Sequence, residues 1–327
     1  MAKFLGLGNA LVDILVQLPN DAKLFELNLP KGSMQLVDAE RMQSILAQTE
    51  GLPRTLAAGG SAANTIHGLA NLGMSTAFIG KVGDDSFGQA FANDMTQNGI
   101  TPIMLKGNAE SGRALAFITP DSERTFAVYL GAAIEMTPND LNPSLFSGYT
   151  HFHIEGYLVQ NHSLVRKAVE LAKQSGCSIS LDLASYNVVE ENLDFLREIV
   201  ENYVDIVFAN EEEAKAFTGK MPVEALNELG KLADIAVVKL GADGSIIKQG
   251  ETTYEVGVIE VSSIDTTGAG DLYAAGFLYG LSKGLSLLKC GEIGAILSRH
   301  VIEVLGPKMD GIRWSKVKDL VLEVEKN

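Results

Sequence analysis

Cysteine is scarce: Cys177 and Cys290 are the only two in 327 residues, and they stand far apart without metal-ligand spacing. A disulfide framework is excluded, and two buried thiols in a reducing compartment are expected. No apolar run approaches the ~20 residues of a membrane span. The start, Met1-Ala2-Lys3, has no leader architecture, so a soluble, cytoplasmic protein is expected. Basic residues are outnumbered, 26 Lys and Arg against 41 Asp and Glu, for a formal net charge of −15. That balance argues against nucleic acid or an anionic membrane as partner, and it makes any anionic ligand depend on a local cradle. Familiar nucleotide and hydrolase signatures are missing too. There is no Gly-x-x-x-x-Gly-Lys-[Ser/Thr] loop and no Gly-x-Ser-x-Gly elbow. Gly6-Leu7-Gly8-Asn9-Ala10-Leu11 lacks the third glycine of a dinucleotide fingerprint, which disfavours an oxidoreductase.

What the chain does have is apolar mass, 46% hydrophobic residues, enough for a large core. From Tyr149 onward, strand-like runs at His151–Ile154, Ser178–Asp182, Asp205–Ala209 and Ile235–Lys239 alternate with helical stretches such as Ser163–Gln174 and Leu193–Tyr203. Such alternation predicts a doubly wound, mostly parallel α/β sheet with helices on both faces. The first half contributes strands at Phe4–Gly8 and Thr76–Val82, and helices at Ala39–Gln48, Ala62–Leu72 and Ser86–Asn98. β-segments interrupt it near residues 11–37 and 110–131, the second reading as a hairpin around Pro120-Asp121-Ser122-Glu123. One domain over residues 1–327, with a small β-sheet lid from those two segments, is expected.

Two glycine turns carry the chemistry. Val261 to Asp271 reads as a strand-like run ending in Thr266-Thr267-Gly268-Ala269-Gly270 and passing into an apolar helix. The amides of Gly268, Ala269 and Gly270 then converge at a helix N-terminus, where an anion is favoured. Asp271 sits beside that hole, placed to take a proton from an attacking hydroxyl. The second turn, Gly59-Gly60-Ser61-Ala62-Ala63-Asn64, would let a sugar ring approach backbone, with Asn64 one turn in. Asp13, on an otherwise apolar strand, suits two vicinal hydroxyls because a carboxylate accepts from both. Asn210 and Glu213 form a capping-box pattern at the end of a strand; the same pair could place Glu213 near hydrated Mg²⁺. Lys239-Leu240-Gly241-Ala242-Asp243-Gly244 is a glycine turn after another strand, either a nucleotide-phosphate loop or a plain hairpin. His151 and His153 share a strand face without a third ligand, and His67 and His300 read as ordinary helix residues.

These motifs, in this order, resemble the PfkB (ribokinase-like) carbohydrate kinases over nearly the whole chain. They are Ala58 to Asn64 continuing to Gly80–Gly88, Asn210-x-x-Glu213, Lys239-x-Gly241-x-x-Gly244, and Asp265 to Asp271. The resemblance implies ATP as phosphoryl donor, Mg²⁺ held through water by Glu213, and Asp271 as base. It implies Gly268, Ala269 and Gly270 as the anion hole, and Asn210, Lys239, Gly241, Gly244 and Thr267 on the nucleotide. It also implies a possible K⁺ near Asp265 and Thr267, completed by carbonyls around Val301, Val304 and Gly306. Leu29–Met34, Ser61, Thr119–Thr125 and His153–Leu158 are most similar to the adenosine kinase-like branch. A nucleoside acceptor, bound by Asp13, Gly59, Gly60 and Asn64, is therefore expected, with a free sugar such as ribose or fructose as the alternative. The base would need an apolar slot, for which Met34, Leu36, Phe117, Ala127, Tyr129 and Tyr157 are the candidates. A monomer or homodimer is expected, since such kinases occur as both. A binder without turnover is disfavoured by the intact Asp271 and its glycines.

Overall fold

The computed structural model describes residues 2–121, 123–258, 261 and 263–326. Its strands up to the middle of the chain are β1 (Lys3–Leu7), β2 (Leu11–Gln17), β3 (Met34–Leu36), β4 (Arg54–Gly59), β5 (Ser75–Val82), β6 (Ile100–Lys106), β7 (Gly112–Ile118) and β8 (Arg124–Tyr129). They continue as β9 (His151–Glu155), β10 (Ser178–Asp182), β11 (Ile206–Asn210), β12 (Ile235–Lys239), β13 (Ser245–Gln249) and β14 (Thr252–Val256).

Nine strands form one sheet in the order β14-β13-β12-β11-β10-β9-β1-β5-β6. All neighbours from β12 to β6 are parallel; β13 pairs antiparallel with β12 and β14 antiparallel with β13, so β13 alone runs against the others. Parallel strands are covered on both faces, which is why these runs are continuously apolar rather than alternating. Phe4, Phe78 and Phe208 enter the core on one face, while Leu5, Leu7, Phe152 and Ile179 enter the other. The chain winds outward in one direction from β1 to β6 and in the other from β9 to β14. The strand order therefore reverses between β1 and β9, and ligands of open α/β sheets bind at the carboxyl ends of strands flanking such a reversal.

A second sheet, β3-β8-β7-β2-β4, stands beside the first. In β2 the alternation of Val12, Ile14 and Val16 with Asp13 and Gln17 is realised as buried against more exposed positions. Two of its features differ from the sequence expectation. Arg54–Gly59 joins as β4, antiparallel to β2, so this sheet draws on three chain segments rather than two. The glycine turn thereby hangs from the second sheet as well as leading into a helix. The β7–β8 hairpin forms as expected, with Ile118 opposite Arg124, although Ser122 lies outside the described residues. No strand forms at Val261, Ser263 or Ile264, and Ser262 lies outside the described residues.

Helices Ser61–Asn71 and Ala269–Ser282 connect the two glycine turns physically. They approach so closely that a Cβ on Gly68 would lie 2.6 Å from Ala275 Cβ. Small residues at this crossing bring the N-terminus of one helix beside the N-terminus of the other.

Candidate active site

A cavity of about 660 Å³ opens at the carboxyl edge of the large sheet, between the two glycine turns. Gly268 sits at φ 75°, left-handed, as the cap of helix Ala269–Ser282, so a side chain there would be strained. The amides of Gly268, Gly270 and Asp271 have no hydrogen-bond partner among the described residues, whereas Ala269 N–H donates to Thr266 carbonyl at 3.2 Å. The amides of Gly268, Gly270 and Asp271 are thus the ones free to receive an anion, whereas the Ala269 amide is engaged within the turn. Lys239 Nζ caps the hole from β12: a Cβ on Gly270 would lie 2.9 Å from it.

Asp271 is held from the acceptor side. Ser61 Oγ donates to its Oδ1 at 2.7 Å, Asn64 Nδ2 to its Oδ2 at 2.9 Å, and Thr65 Oγ1 to its carbonyl at 3.2 Å. Positions 61, 64 and 65 share one helix face, so a single helix orients the carboxylate. Enclosure in protein raises the Asp271 pKa to about 6, against the two side-chain donors that favour the anion. Asn64 Oδ1 remains buried and unpartnered among the described residues.

Across the cavity, Asp13 occupies the space a Gly59 side chain would fill, since a Cβ there would meet its carboxyl at 2.3 Å. Gly60, at φ 99°, turns sharply against Asn9 carbonyl and leads into the helix. Burial raises Asp13 to about 7, and Lys308 pulls the other way. Glu155, at the end of β9, accepts from Asn9 N–H and side chain at 2.9 and 2.8 Å and from Ala62 N–H at 2.9 Å. It fastens the acceptor turn to the reversal point of the sheet.

At the nucleotide end, Asn210 and Glu213 form the reciprocal capping box, at 2.8, 2.6 and 2.9 Å. Both also line the cavity, with Gly241, Gly244 and Thr267. Burial and the neighbouring Asp182 raise Glu213 to about 7. Asp182 pairs with Lys239 at 2.7 Å. Burial works against the Lys239 charge, yet Asp182, Glu213 and Asp271 outweigh it and raise its pKa. Two adjacent acids sharing one lysine leave uncompensated negative charge, which suits a hydrated Mg²⁺ held through water. Among the described residues no three His, Cys, Asp or Glu side chains are grouped to hold a metal directly.

The residues expected around a monovalent cation are partly engaged within the chain. Asp265 already accepts Thr267 N–H at 2.9 Å and Gly306 N–H at 2.5 Å, and it is ion-paired with Arg124. The Val301 carbonyl is taken by Val304 N–H at 3.1 Å. The expected base slot is also corrected in part. Met34 and Leu36 are exposed on β3, and Tyr129 lies under the Arg113 guanidinium, 5.2 Å from its ring centre; none lines the cavity. Phe126 of β8 and Tyr157 do. Phe117 and Ala127 are fully buried sheet core. Ser61, Asp182, Arg124 and Phe126 were not assigned roles from sequence. Only Asp182 had a signal, as a charged residue ending a parallel strand at the ligand edge.

The pattern that describes pfkB family carbohydrate kinases matches residues 37–310. The chain belongs to the pfkB family. It is an ATP-dependent kinase whose acceptor is a hydroxyl. A crystal structure of a probable sugar kinase from Rhizobium etli superposes with TM-score 0.88 at 33% identity, covering 98% of this chain and 99% of that one. An adenosine kinase from Sinorhizobium meliloti superposes at 0.86 with the same identity and coverage. The yeast adenosine kinase is 29% identical across 95% of this chain and 98% of its own. No helix among the described residues is long and apolar enough to cross a membrane.

A pH dependence follows for this pfkB kinase. A base at Asp271 would have to be ionised, and an acceptor of hydroxyls at Asp13 would work best ionised. With folded pKa values of about 6 and about 7, kcat/KM for the acceptor falls below pH 7 and more steeply below 6. A profile flat from pH 8 to pH 5 contradicts both assignments.

Proposed function

We propose that the protein transfers the γ-phosphoryl group of ATP to the primary hydroxyl of a nucleoside, adenosine, giving AMP. The observation that carries this reading is the pairing of a diol-binding carboxylate, Asp13, with an aromatic wall, Phe126 and Tyr157, in the cavity that ends at Asp271. Asp13 and the free Asn64 Oδ1 accept the ribose hydroxyls, while Gly60 lets the ring approach backbone. That orients the primary hydroxyl toward Asp271, which takes its proton as the oxygen attacks phosphorus. Gly268, Gly270 and Asp271 amides, with Lys239, stabilise charge on the transferring group. Mg²⁺, when bound through water near Glu213 and Asp182, neutralises phosphate charge. Similarity to named adenosine kinases supports the nucleoside; similarity to a probable sugar kinase keeps ribose or fructose as the second reading.

Stacking a base on an aromatic ring contributes roughly 1–3 kcal/mol, by analogy with single-stranded nucleic acid. Phe126→Ala therefore lowers kcat/KM for adenosine about tenfold or more, and leaves that for ribose unchanged. Tyr157→Ala erodes the same preference. Equal losses for both acceptors in both variants contradict a base slot.

The second sheet acts as a lid that excludes water from the activated phosphate. In the free protein, segments 11–37 and 110–131 exchange amide hydrogens faster than β9 to β12, and acceptor binding slows that exchange. Unchanged exchange in both segments at saturation rules the lid out.

A further inference from the structure

Among the described residues two non-glycine positions have positive φ, Asn28 at 52° and Ala184 at 68°. Asn28 is exposed, and asparagine tolerates left-handed backbone. Alanine has no such tolerance, and Ala184 lines the cavity just after β10. It is the centre of a γ-turn, closed by Ser185 N–H donating to the Leu183 carbonyl at 2.9 Å. At positive φ this is the rare, strained form of that turn. The turn is gripped from several sides. Asp182 Oδ1 accepts the Ala184 N–H at 3.0 Å while Asp182 Oδ2 pairs with Lys239. The Tyr157 hydroxyl donates to the Ala184 carbonyl at 3.5 Å. Gly156 packs against the turn with no room for a side chain, since a Cβ there would lie 2.6 Å from the Leu183 carbonyl oxygen. Both backbone polar groups of Ala184 are thus engaged within the chain, and its methyl is what it has left to offer the cavity.

We propose that Ala184 is a specificity-determining residue, whose methyl extends the apolar wall begun by Tyr157 and touches the aromatic base of the acceptor. The assignment rests on the nucleoside reading of the cavity. Two effects oppose each other at this position. Glycine adopts the left-handed conformation freely, so an alanine there lowers the stability of the empty protein by its conformation alone. The same methyl, held beside the Tyr157 ring, adds apolar contact once a flat base lies in the cavity. Strain kept at a ligand site in this way trades stability for recognition. A free sugar has no base and gains nothing from the methyl, so Ala184 separates nucleosides from sugars rather than strengthening both.

Ala184→Gly pulls the two effects apart. Without ligands the variant melts about 1–2 °C above the wild type, because the strain is relieved. Its dissociation constant for adenosine, measured by calorimetry without ATP, rises about fourfold, the contribution of one buried methyl. In turnover KM for adenosine rises by the same factor at unchanged kcat, and kcat/KM for ribose stays as it was. An Ala184→Gly protein that binds adenosine as tightly as the wild type overturns the proposal. So does a loss shared equally by ribose, which would make the turn a support of the whole site, and so does a variant that melts below the wild type. Wild-type protein that binds no adenosine contradicts the nucleoside reading itself, a failure seen before any variant is compared, and the proposal falls with it.

Discussion

Asp271→Asn lowers kcat by about 10²–10⁴-fold, the range that removal of a positioned general base produces. The substitution is mild structurally. Ser61 Oγ can still donate to the amide oxygen, and Asn64 can present its unpartnered Oδ1 to the new amide nitrogen by turning its own side chain over. Nucleotide affinity changes little, because the groups proposed to receive phosphate are backbone amides and Lys239, none of which the substitution removes. The loss therefore falls on turnover at saturating ATP and acceptor. A variant with near-normal kcat removes Asp271 from the mechanism, whatever its position.

The largest effect on stability belongs to Lys239. Its ammonium pairs with Asp182 and faces Glu213 and Asp271, so Lys239→Met leaves three carboxylates in one cavity without a neighbouring lysine. Removing one partner of a buried pair costs about 3–5 kcal/mol. At this chain length that lowers the melting midpoint by roughly 10 °C. The same loss raises the pKa of Asp271, so the acid limb of the activity profile moves to higher pH. A double variant, Asp182→Asn with Lys239→Met, regains part of the stability, since it removes a charge the lysine had compensated. A Lys239→Met protein that melts with the wild type contradicts the shared-lysine arrangement.

What could be read from the sequence was local. The turn from Thr266 to Asp271 is legible because glycines, a left-handed cap and a following apolar helix are all properties of adjacent residues. The parallel sheet is legible because its buried strands are continuous apolar runs spaced by helical periods. Long-range pairings were not. Ser61 and Asp271 are 210 positions apart, and the helix crossing at Gly68 and Ala275 that joins them leaves no periodic trace. Arg124 of the second sheet and Asp265 of the loop before helix Ala269–Ser282 go unpaired in the sequence for the same reason. In the second sheet, alternation separates two faces but does not say which one overlooks the cavity. Tyr129 thus reads as a wall while Phe126 goes unmarked, and Met34 and Leu36 read as apolar enough to be inside. Arg54–Gly59 was missed as a strand because its alanines and glycines carry little β preference, and tertiary pairing with β2 decides it. Ala269 sits in the expected turn, yet its amide bonds to Thr266, a detail of backbone geometry that residue types do not encode.

A competition assay tests the nucleoside kinase assignment most directly. Adenosine, ribose and fructose are mixed at equal concentration with the protein, Mg²⁺ and a small amount of ATP labelled on its γ-phosphate, and the label in each product is counted. Adenosine takes the label at least about tenfold faster than either sugar, as an aromatic wall beside the diol site requires, and ADP forms only while an acceptor is present. Ribose or fructose outrunning adenosine contradicts the nucleoside assignment, and ADP forming equally fast with no acceptor contradicts a site built to exclude water.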